Sequence, residues 1–213
     1  SWIGIKVTVD GESLDLNTVK SVSKFRRELN MKEGWLSRSF LATLQNNIEI
    51  EVKAKRFLSL DIDEVGAIQY QITPKNSNAE ITFQPYLDSG ITNEDSNWDD
   101  KFWDTKNVSH EKNQAFIEAK TMKTNFHTCT FMESSVFING EAVSNQPTTN
   151  SQVNYVSFSY KQAVSKGETY AIHKFGGYTV DRNHDKAKLV SAAKAILEKT
   201  SKLGFNGLLE RQK

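Results

Sequence analysis

Hydrophobic and polar residues alternate along most of the chain between residues 3 and 180. Ile3, Ile5, Val7 and Val9 alternate with polar residues or glycine, and a period of two is typical of half-buried β-strands. The same alternation recurs at 48–54, 68–72, 81–83, 115–119, 156–160 and 170–172. Ten or more short strands at this spacing predict an antiparallel sandwich or barrel.

Two dipeptides mark the sharpest predicted turns between these strands. Asp10-Gly11 follows the first strand, and Asn139-Gly140 separates two apolar stretches. Both dipeptides are favoured in two-residue hairpin loops, because the two central residues of such loops need positive φ angles. The sequence therefore predicts a β-hairpin at each position.

The alternation slips at Arg56-Phe57, where we expect a β-bulge to restore the phase of the strand. The acidic segment 61–64 follows shortly afterwards. Its oxygen-bearing side chains could bind calcium, but the spacing of a calcium-binding EF-hand loop is absent. We interpret it as a polar turn between two strands.

Two longer polar segments, 89–110 and 145–152, interrupt the strand pattern and are predicted to be loops. Loops of this length in compact domains usually serve a site or are disordered. The first segment is rich in aromatic and acidic residues, whereas the second contains no aromatic residue. The first is therefore the candidate functional loop.

The aromatic and acidic side chains of the first loop are the candidate substrate-binding residues. Aromatic rings can stack on the C–H faces of a sugar, and carboxylates can accept hydrogen bonds from its hydroxyl groups. Alternatively, the tryptophans anchor the loop to the sandwich or to a neighbouring domain, since exposing them to water is unfavourable. The candidates are Trp98, Asp99, Phe102, Trp103 and Asp104.

Composition narrows the function without identifying it. The 27 basic and 26 acidic residues give a net charge of +1, which argues against a nucleic-acid-binding protein. The sequence contains no apolar run of about 20 residues that could span a membrane. A single cysteine, Cys129, excludes an internal disulfide framework, and we read its i, i+2 pairing with His127 as one face of a strand rather than a metal site. We predict no catalytic, metal-binding or cofactor-binding residue.

The pattern becomes helical after residue 182. Leu189, Ala193 and Leu197 share one stripe of a helix predicted over 185–203. Asn183 is the expected N-cap, and Gly204 suits the position after the last helical residue. We therefore divide the chain into a β-domain, 1–182, and a helical linker, 183–213.

Several strand segments resemble the N-terminal domain of glycoside hydrolase family 65. The segment 27–38 fits the family pattern R-x-L-x-M-x-x-G-x-L-x-R. The resemblance covers nearly the whole chain in order. The other matching pieces are 1–5 ahead of Asp10-Gly11-Glu12, 56–60, 70–74, 87–93 and the exit strand 174–183.

The resemblance implies a mainly β, antiparallel super-β-sandwich followed by C-terminal linker helices. Enzymes of this family include maltose, trehalose and kojibiose phosphorylases, and their catalytic residues lie in a helical barrel after the linker. Such a parent would cleave an α-linked glucose disaccharide with inversion, as an acid protonates the glycosidic oxygen while phosphate or water attacks the opposite face. Inorganic phosphate would be a co-substrate, not a cofactor.

The resemblance also sets expectations about partners and completeness. The chain is expected to lack the start of the sandwich domain and the catalytic barrel, and hence to be inactive alone. Its expected partners are that barrel, an α-linked disaccharide and a second copy in a homodimer, with no nucleic acid and no membrane. The expected location is the cytoplasm. Two other readings stay open: a free-standing carbohydrate-binding sandwich, and a structural or oligomerisation domain.

Overall fold

A computed structural model describes residues 1–92, 101–144 and 146–212. The described residues form fourteen strands and, near the C-terminus, a helical segment. The strands are β1 Ile5–Val9, β2 Glu12–Ser13, β3 Ser21–Asn30, β4 Trp35–Thr43, β5 Glu49–Leu58, β6 Val65–Pro74, β7 Ala79–Asp88, β8 Trp103–Glu111, β9 Gln114–Thr121, β10 His127–Ile138, β11 Glu141–Ala142, β12 Thr148–Ser151, β13 Tyr155–Val164 and β14 Tyr170–Val180. A short 3₁₀ turn, Lys186–Lys188, leads into helix α1, Leu189–Glu210.

The strands form two antiparallel sheets that face each other. The smaller sheet has the order β12-β13-β7-β1-β2. The larger has the order β3-β4-β5-β6-β14-β10-β9-β8, with β11 paired to β10. Neither sheet closes on itself, so the structure confirms the predicted mainly β sandwich.

The main core lies between the two sheets. Side chains alternate across each strand, so one face of every strand points into this space. Its apolar residues include Val7, Val9, Phe40, Val52, Ile72, Ile81, Phe83, Leu87, Ile117, Val136, Val156, Phe158, Tyr170 and Ile172. The face of the larger sheet that borders this core is called its inner face below.

A second core covers the outer face of the larger sheet, where α1 packs against it. The sheet contributes Phe57, Val65, Ala67, Phe116, Cys129, Phe131 and Phe175, and the helix contributes Leu189, Ala193, Leu197, Phe205, Leu208 and Leu209. The helix within the predicted linker, 183–213, therefore packs directly on the β-domain.

The second core explains the break in alternation at Arg56-Phe57 and shows that the predicted β-bulge was wrong. The β4–β5 and β5–β6 registers run through both residues without interruption. Phe57 is buried because its ring packs against Phe205 of α1, with ring centroids 5.2 Å apart. The irregularity in this part of the sheet lies instead in β3, between Ser23 and Arg26.

The side-chain cap lies two residues later than expected, and it caps the 3₁₀ turn rather than α1, which begins at Leu189. The Asp185 carboxylate, not the Asn183 side chain, accepts a hydrogen bond from the Ala187 amide at 3.0 Å. Gly204 has φ +67° and interrupts the helix, which confirms the predicted stop, since glycine tolerates this backbone region. No helix among the described residues is long and apolar enough to cross a membrane.

Polar contacts also attach α1 to the larger sheet. The Thr179 hydroxyl donates to the Leu189 carbonyl at 2.9 Å, and the Ser201 hydroxyl donates to the Glu133 carboxylate at 2.5 Å. At an exposed edge, Lys194 forms an ion pair with Glu111. These polar contacts, together with the apolar packing, fix the orientation of α1 on the larger sheet.

Both predicted hairpins are confirmed. Asp10 and Gly11 have φ angles of 47° and 81°, and Asn139 and Gly140 have 50° and 88°, as a two-residue turn with two positive φ angles requires. The acidic segment 61–64 is also confirmed as a turn, between β5 and β6.

The two predicted loops are partly strands. Residues 103–110 belong to β8, and 148–151 form β12. Each of these strands lies at the edge of its sheet. An edge strand can be polar on both faces, so the sequence pattern does not reveal it.

Candidate functional site

The structure describes three of the five predicted substrate-binding residues. Phe102 precedes β8, and Trp103 and Asp104 are the first two residues of that strand, so the last two are not in a loop. All three are partly exposed. Trp98 and Asp99 lie outside the described residues.

Hydrogen bonds fix both ends of the segment that carries these residues. The Ser89 hydroxyl lies 2.7 Å from the Thr105 hydroxyl, and the Met122 amide donates to the Phe102 carbonyl at 2.9 Å. The Ser89 amide also donates to the Asn154 carbonyl at 2.9 Å. The ends are therefore held to β8, to the β9–β10 turn and to the β12–β13 connection.

Asp104 is paired rather than poised to release a proton. Its carboxylate forms an ion pair with Lys106 at 2.5 Å. The hydrogen bond from Lys106 lowers the pKa of Asp104 below its ordinary value. An ionised, paired carboxylate can accept hydrogen bonds but cannot serve as a general acid near neutral pH.

A second surface lies on the inner face of the larger sheet, beyond the edge of the smaller one. The strand registers align side chains of β3, β4, β5 and β6 in rows across this face. One row contains Arg27, Arg38, Ala54 and Tyr70. The next contains Leu29, Leu36, Arg56 and Ile68. A third row on the same face, Phe40, Val52 and Ile72, is buried in the main core.

These rows form a cleft because the smaller sheet covers only part of the larger one. Ile3 and Ile5, at the start of the smaller sheet, form its other side, and it holds about 250 Å³. Tyr70 lies deep in it, where burial raises the pKa of its hydroxyl despite a hydrogen bond with Arg38. Among the described residues that line the cleft, none is acidic. The cleft is thus suited to an anionic group.

Lys174 continues the second row under the smaller sheet and is fully buried. β14 places it beside Ile68, and its Nζ donates to the Gly4 carbonyl at 2.8 Å and the Tyr86 carbonyl at 2.9 Å. Burial lowers the pKa of this amine well below its ordinary value. These two hydrogen bonds fasten the start of the chain, at Gly4, to Tyr86 of β7.

Trp2 closes the inner end of this region. Its indole lies over Gly66 and Gly176, where an added Cβ would come within 2.6 Å and 2.8 Å of the ring. Only glycine leaves room for the ring at these two positions. Trp2 is buried, so the segment 1–5 has a fixed path along the cleft.

The predicted site and the arginine-lined cleft lie far apart in the fold. β8 is one edge strand of the larger sheet and β3 is the other. Sequence reasoning did not predict the cleft. The available signal was the alternation of arginine and leucine at Arg27, Leu29, Leu36 and Arg38, which places all four side chains on one face of a hairpin.

The His127–Cys129 pair does not belong to a metal site of the described residues. Burial raises the pKa of the Cys129 thiol to about 12, so the thiol stays protonated. Within the described ranges, no group of three or more His, Cys, Asp or Glu side chains could hold a metal ion. Cys129 packs under α1 as part of the second core.

Together, two open antiparallel sheets and the helix on the outer face of the larger one define a super-β-sandwich domain. The sequence model described as "Glycosyl hydrolase family 65, N-terminal domain" matches residues 1–213. The chain belongs to this family as an example of its N-terminal domain.

Curated relatives agree with this assignment. A maltose phosphorylase from Bacillus subtilis (strain 168) is 31% identical over 213 residues, covering 99% of this chain and 27% of that protein. An alpha,alpha-trehalose phosphorylase from Thermoanaerobacter brockii is 30% identical over 217 residues, covering 98% of this chain and 27% of that protein. The chain spans about a quarter of the length of these relatives.

A solved structure shows the same fold. A putative kojibiose phosphorylase from the human microbiome superposes with a TM-score of 0.86 at 20% identity, over 100% of this chain and 27% of that one. At this identity the match supports the fold alone.

Proposed function

We propose that this chain is the non-catalytic N-terminal domain of an inverting disaccharide phosphorylase. The observation that carries the proposal is the full-length family match combined with the short span: similarity covers the whole chain but only 27% of a maltose phosphorylase and of a trehalose phosphorylase. The catalytic acid and the phosphate-binding groups would then come from the helical barrel expected after α1.

The parent reaction that we propose is phosphorolysis with inversion. Phosphate attacks the anomeric carbon of an α-linked glucose disaccharide on the face opposite the leaving group, while an enzyme carboxylic acid protonates the glycosidic oxygen. The products are β-glucose 1-phosphate and a free sugar. We favour phosphate over water as the acceptor, because the curated relatives are phosphorylases.

The aromatic segment is proposed to contact either the pocket rim or the neighbouring domain. Phe102, Trp103 and Asp104 support this role because they are partly exposed at the edge of the larger sheet, beside Trp98 and Asp99 in the sequence. The paired Asp104 carboxylate suits hydrogen bonding to a hydroxyl group better than acid catalysis.

The direct test is an assay of the natural full-length polypeptide in the presence and absence of inorganic phosphate. Maltose, trehalose and kojibiose are supplied separately, and the products are identified by NMR. We expect phosphate-dependent formation of β-glucose 1-phosphate from one of them. Sugar release without phosphate would contradict phosphorolysis in favour of hydrolysis, and no cleavage of any α-linked glucose disaccharide would contradict the proposal.

A further inference from the structure

Large exposed apolar side chains cluster at one end of the sandwich. Leu29 and Met31, in and after β3, are 64% and 86% exposed, and Leu60, after β5, is 78% exposed. Ile3, Leu29 and Leu58 line a shared cleft of about 300 Å³. Contiguous exposed apolar groups of this kind mark interaction sites in soluble proteins.

This apolar end is continuous with the arginine-lined cleft. Ile3, Leu36, Arg56 and Ile68 line both clefts. The combined area is called the arginine–leucine surface. It comprises the cleft-lining residues Ile3, Arg27, Leu29, Arg38, Arg56 and Leu58, together with the exposed Met31 and Leu60 of the adjoining β3–β4 and β5–β6 connections.

The composition of the arginine–leucine surface favours a protein partner. Arginine, methionine and aromatic residues are enriched in the centres of protein interfaces, and Trp35 lines the apolar part. Small-molecule pockets, by contrast, enclose most of their ligand, whereas this surface is open along the overhanging sheet. The planar guanidinium groups suit paired hydrogen bonds with carboxylates.

The path of the chain indicates which protein lies there. After α1, the Gln212 side chain donates to the Glu33 carbonyl at 2.8 Å and the Gly34 carbonyl at 3.1 Å. Both residues belong to the β3–β4 turn, next to Met31. The end of the described chain is therefore fastened to the hairpin that carries the surface.

We infer that the domain following residue 213 in the full-length polypeptide docks on the arginine–leucine surface. That domain would present apolar side chains to Leu29, Met31, Leu58 and Leu60, and carboxylates to Arg27 and Arg56. The inference rests on one element of the proposed function, namely that this chain is the N-terminal domain of a longer polypeptide.

The test is thiol labelling of the full-length polypeptide, with accessible cysteines outside residues 1–213 removed. Cys129 gives no background because it is buried. Met31→Cys probes the surface, and Val153→Cys is the matched control, since Val153 is 85% exposed on the smaller-sheet side of the molecule. We expect the thiol at position 31 to react at least about tenfold more slowly than the thiol at position 153. Equal rates would overturn the inference.

Charge reversal tests the contribution of the arginines. Adding Arg27→Glu and Arg56→Glu should raise the labelling rate at position 31 toward the rate at position 153, because like charges would then oppose each other. Lys123→Glu with Lys166→Glu is the matched control, since it makes the same charge change at two exposed turns. If both pairs of substitutions changed labelling equally, the arginines would have no specific role.

Two further outcomes separate this inference from its alternatives. Protection at position 31 that disappears when the protein is diluted from dimer to monomer would assign the surface to a second copy and overturn the inference. Protection in a monomer without disaccharide phosphorolysis would support the inference while contradicting the proposed function. Phosphorolysis with an unprotected thiol at position 31 would support the proposed function and contradict the inference.

Discussion

The two faces of the larger sheet are covered in different ways. The inner face packs against a second sheet whose strands come from distant parts of the sequence, whereas the outer face packs against α1, a single stretch of the sequence at the C-terminal end. A cover made from one segment at the end of the chain can detach without unpairing any strand. The outer layer is therefore expected to behave as a separate unit of stability, although both faces bury apolar side chains.

The largest expected effect comes from removing the ring that joins α1 to the sheet. Phe205 is buried and lies against Phe57 and His173. Phe205→Ala should cost about 3–5 kcal/mol, as for other buried phenylalanines. Hydrogen exchange should accelerate in α1 while the β7–β13 pairing stays protected.

Phe83→Ala is the matched control for this first prediction, because Phe83 is fully buried in the main core between the two sheets. This substitution should accelerate exchange throughout both sheets. If the two variants gave the same exchange pattern, the two covers would form one cooperative unit.

The inner face is expected to gain stability at alkaline pH through Lys174. Its pKa is lowered in the folded protein by burial, so the unfolded chain binds the extra proton. The free energy of unfolding should then rise with pH between the lowered pKa and the ordinary lysine pKa, with a slope of at most about 1.4 kcal/mol per pH unit. Urea unfolding at pH 8 and pH 9 measures this slope, and Lys174→Met should reduce it. An unchanged slope in that variant would show that Lys174 is not its source.

The outer face should lose stability in acid through His173. Its ring lies against Phe137 and Phe205, and burial lowers its pKa to about 4. At a pH between this folded-state pKa and the unfolded-state pKa near 6.5, only the unfolded chain binds the proton. The free energy of unfolding should therefore fall by about 2 kcal/mol from pH 6.5 to pH 5. His173→Phe removes the titrating group, so its urea midpoint should depend less on pH, and an equal dependence would contradict this origin.

Local pattern was enough to predict many of the strands, the two hairpins and the C-terminal helix, but the alternation gave no strand prediction where β3 and β4 lie. It failed at β8 and β12, because edge strands need no apolar face. The alternation was also misinterpreted at Phe57. A break in the alternation was taken as a bulge, whereas it marks the point where the outer face of the strand becomes buried under α1. The helix was predicted from its apolar stripe, yet nothing in that stripe specifies the sheet that it covers.

The site was less predictable than the fold. The arginine rows depend on the register of four strands, and Lys174 reaches them through the β6–β14 pairing, which joins segments about one hundred residues apart. Such long-range pairing has no local sequence signal. The exposure of Leu29 and Met31 was equally hidden, because an exposed apolar residue and a buried one look identical in a sequence.

The smallest expected effect lies at a hairpin that belongs to neither covered face. Gly140 has φ +88°, and an added Cβ would meet no atom within 4 Å, so the cost of a side chain there is conformational alone. Gly140→Ala should lower the free energy of unfolding by about 1–2 kcal/mol, and Gly140→Asn by less, because asparagine tolerates this region. Urea unfolding should show this order with unchanged exchange in α1. This turn contacts neither the smaller sheet nor α1. Faster hydrogen exchange in α1 would therefore mean that strain at the end of β10 is transmitted to the outer layer. The two faces would then be less independent than their packing indicates.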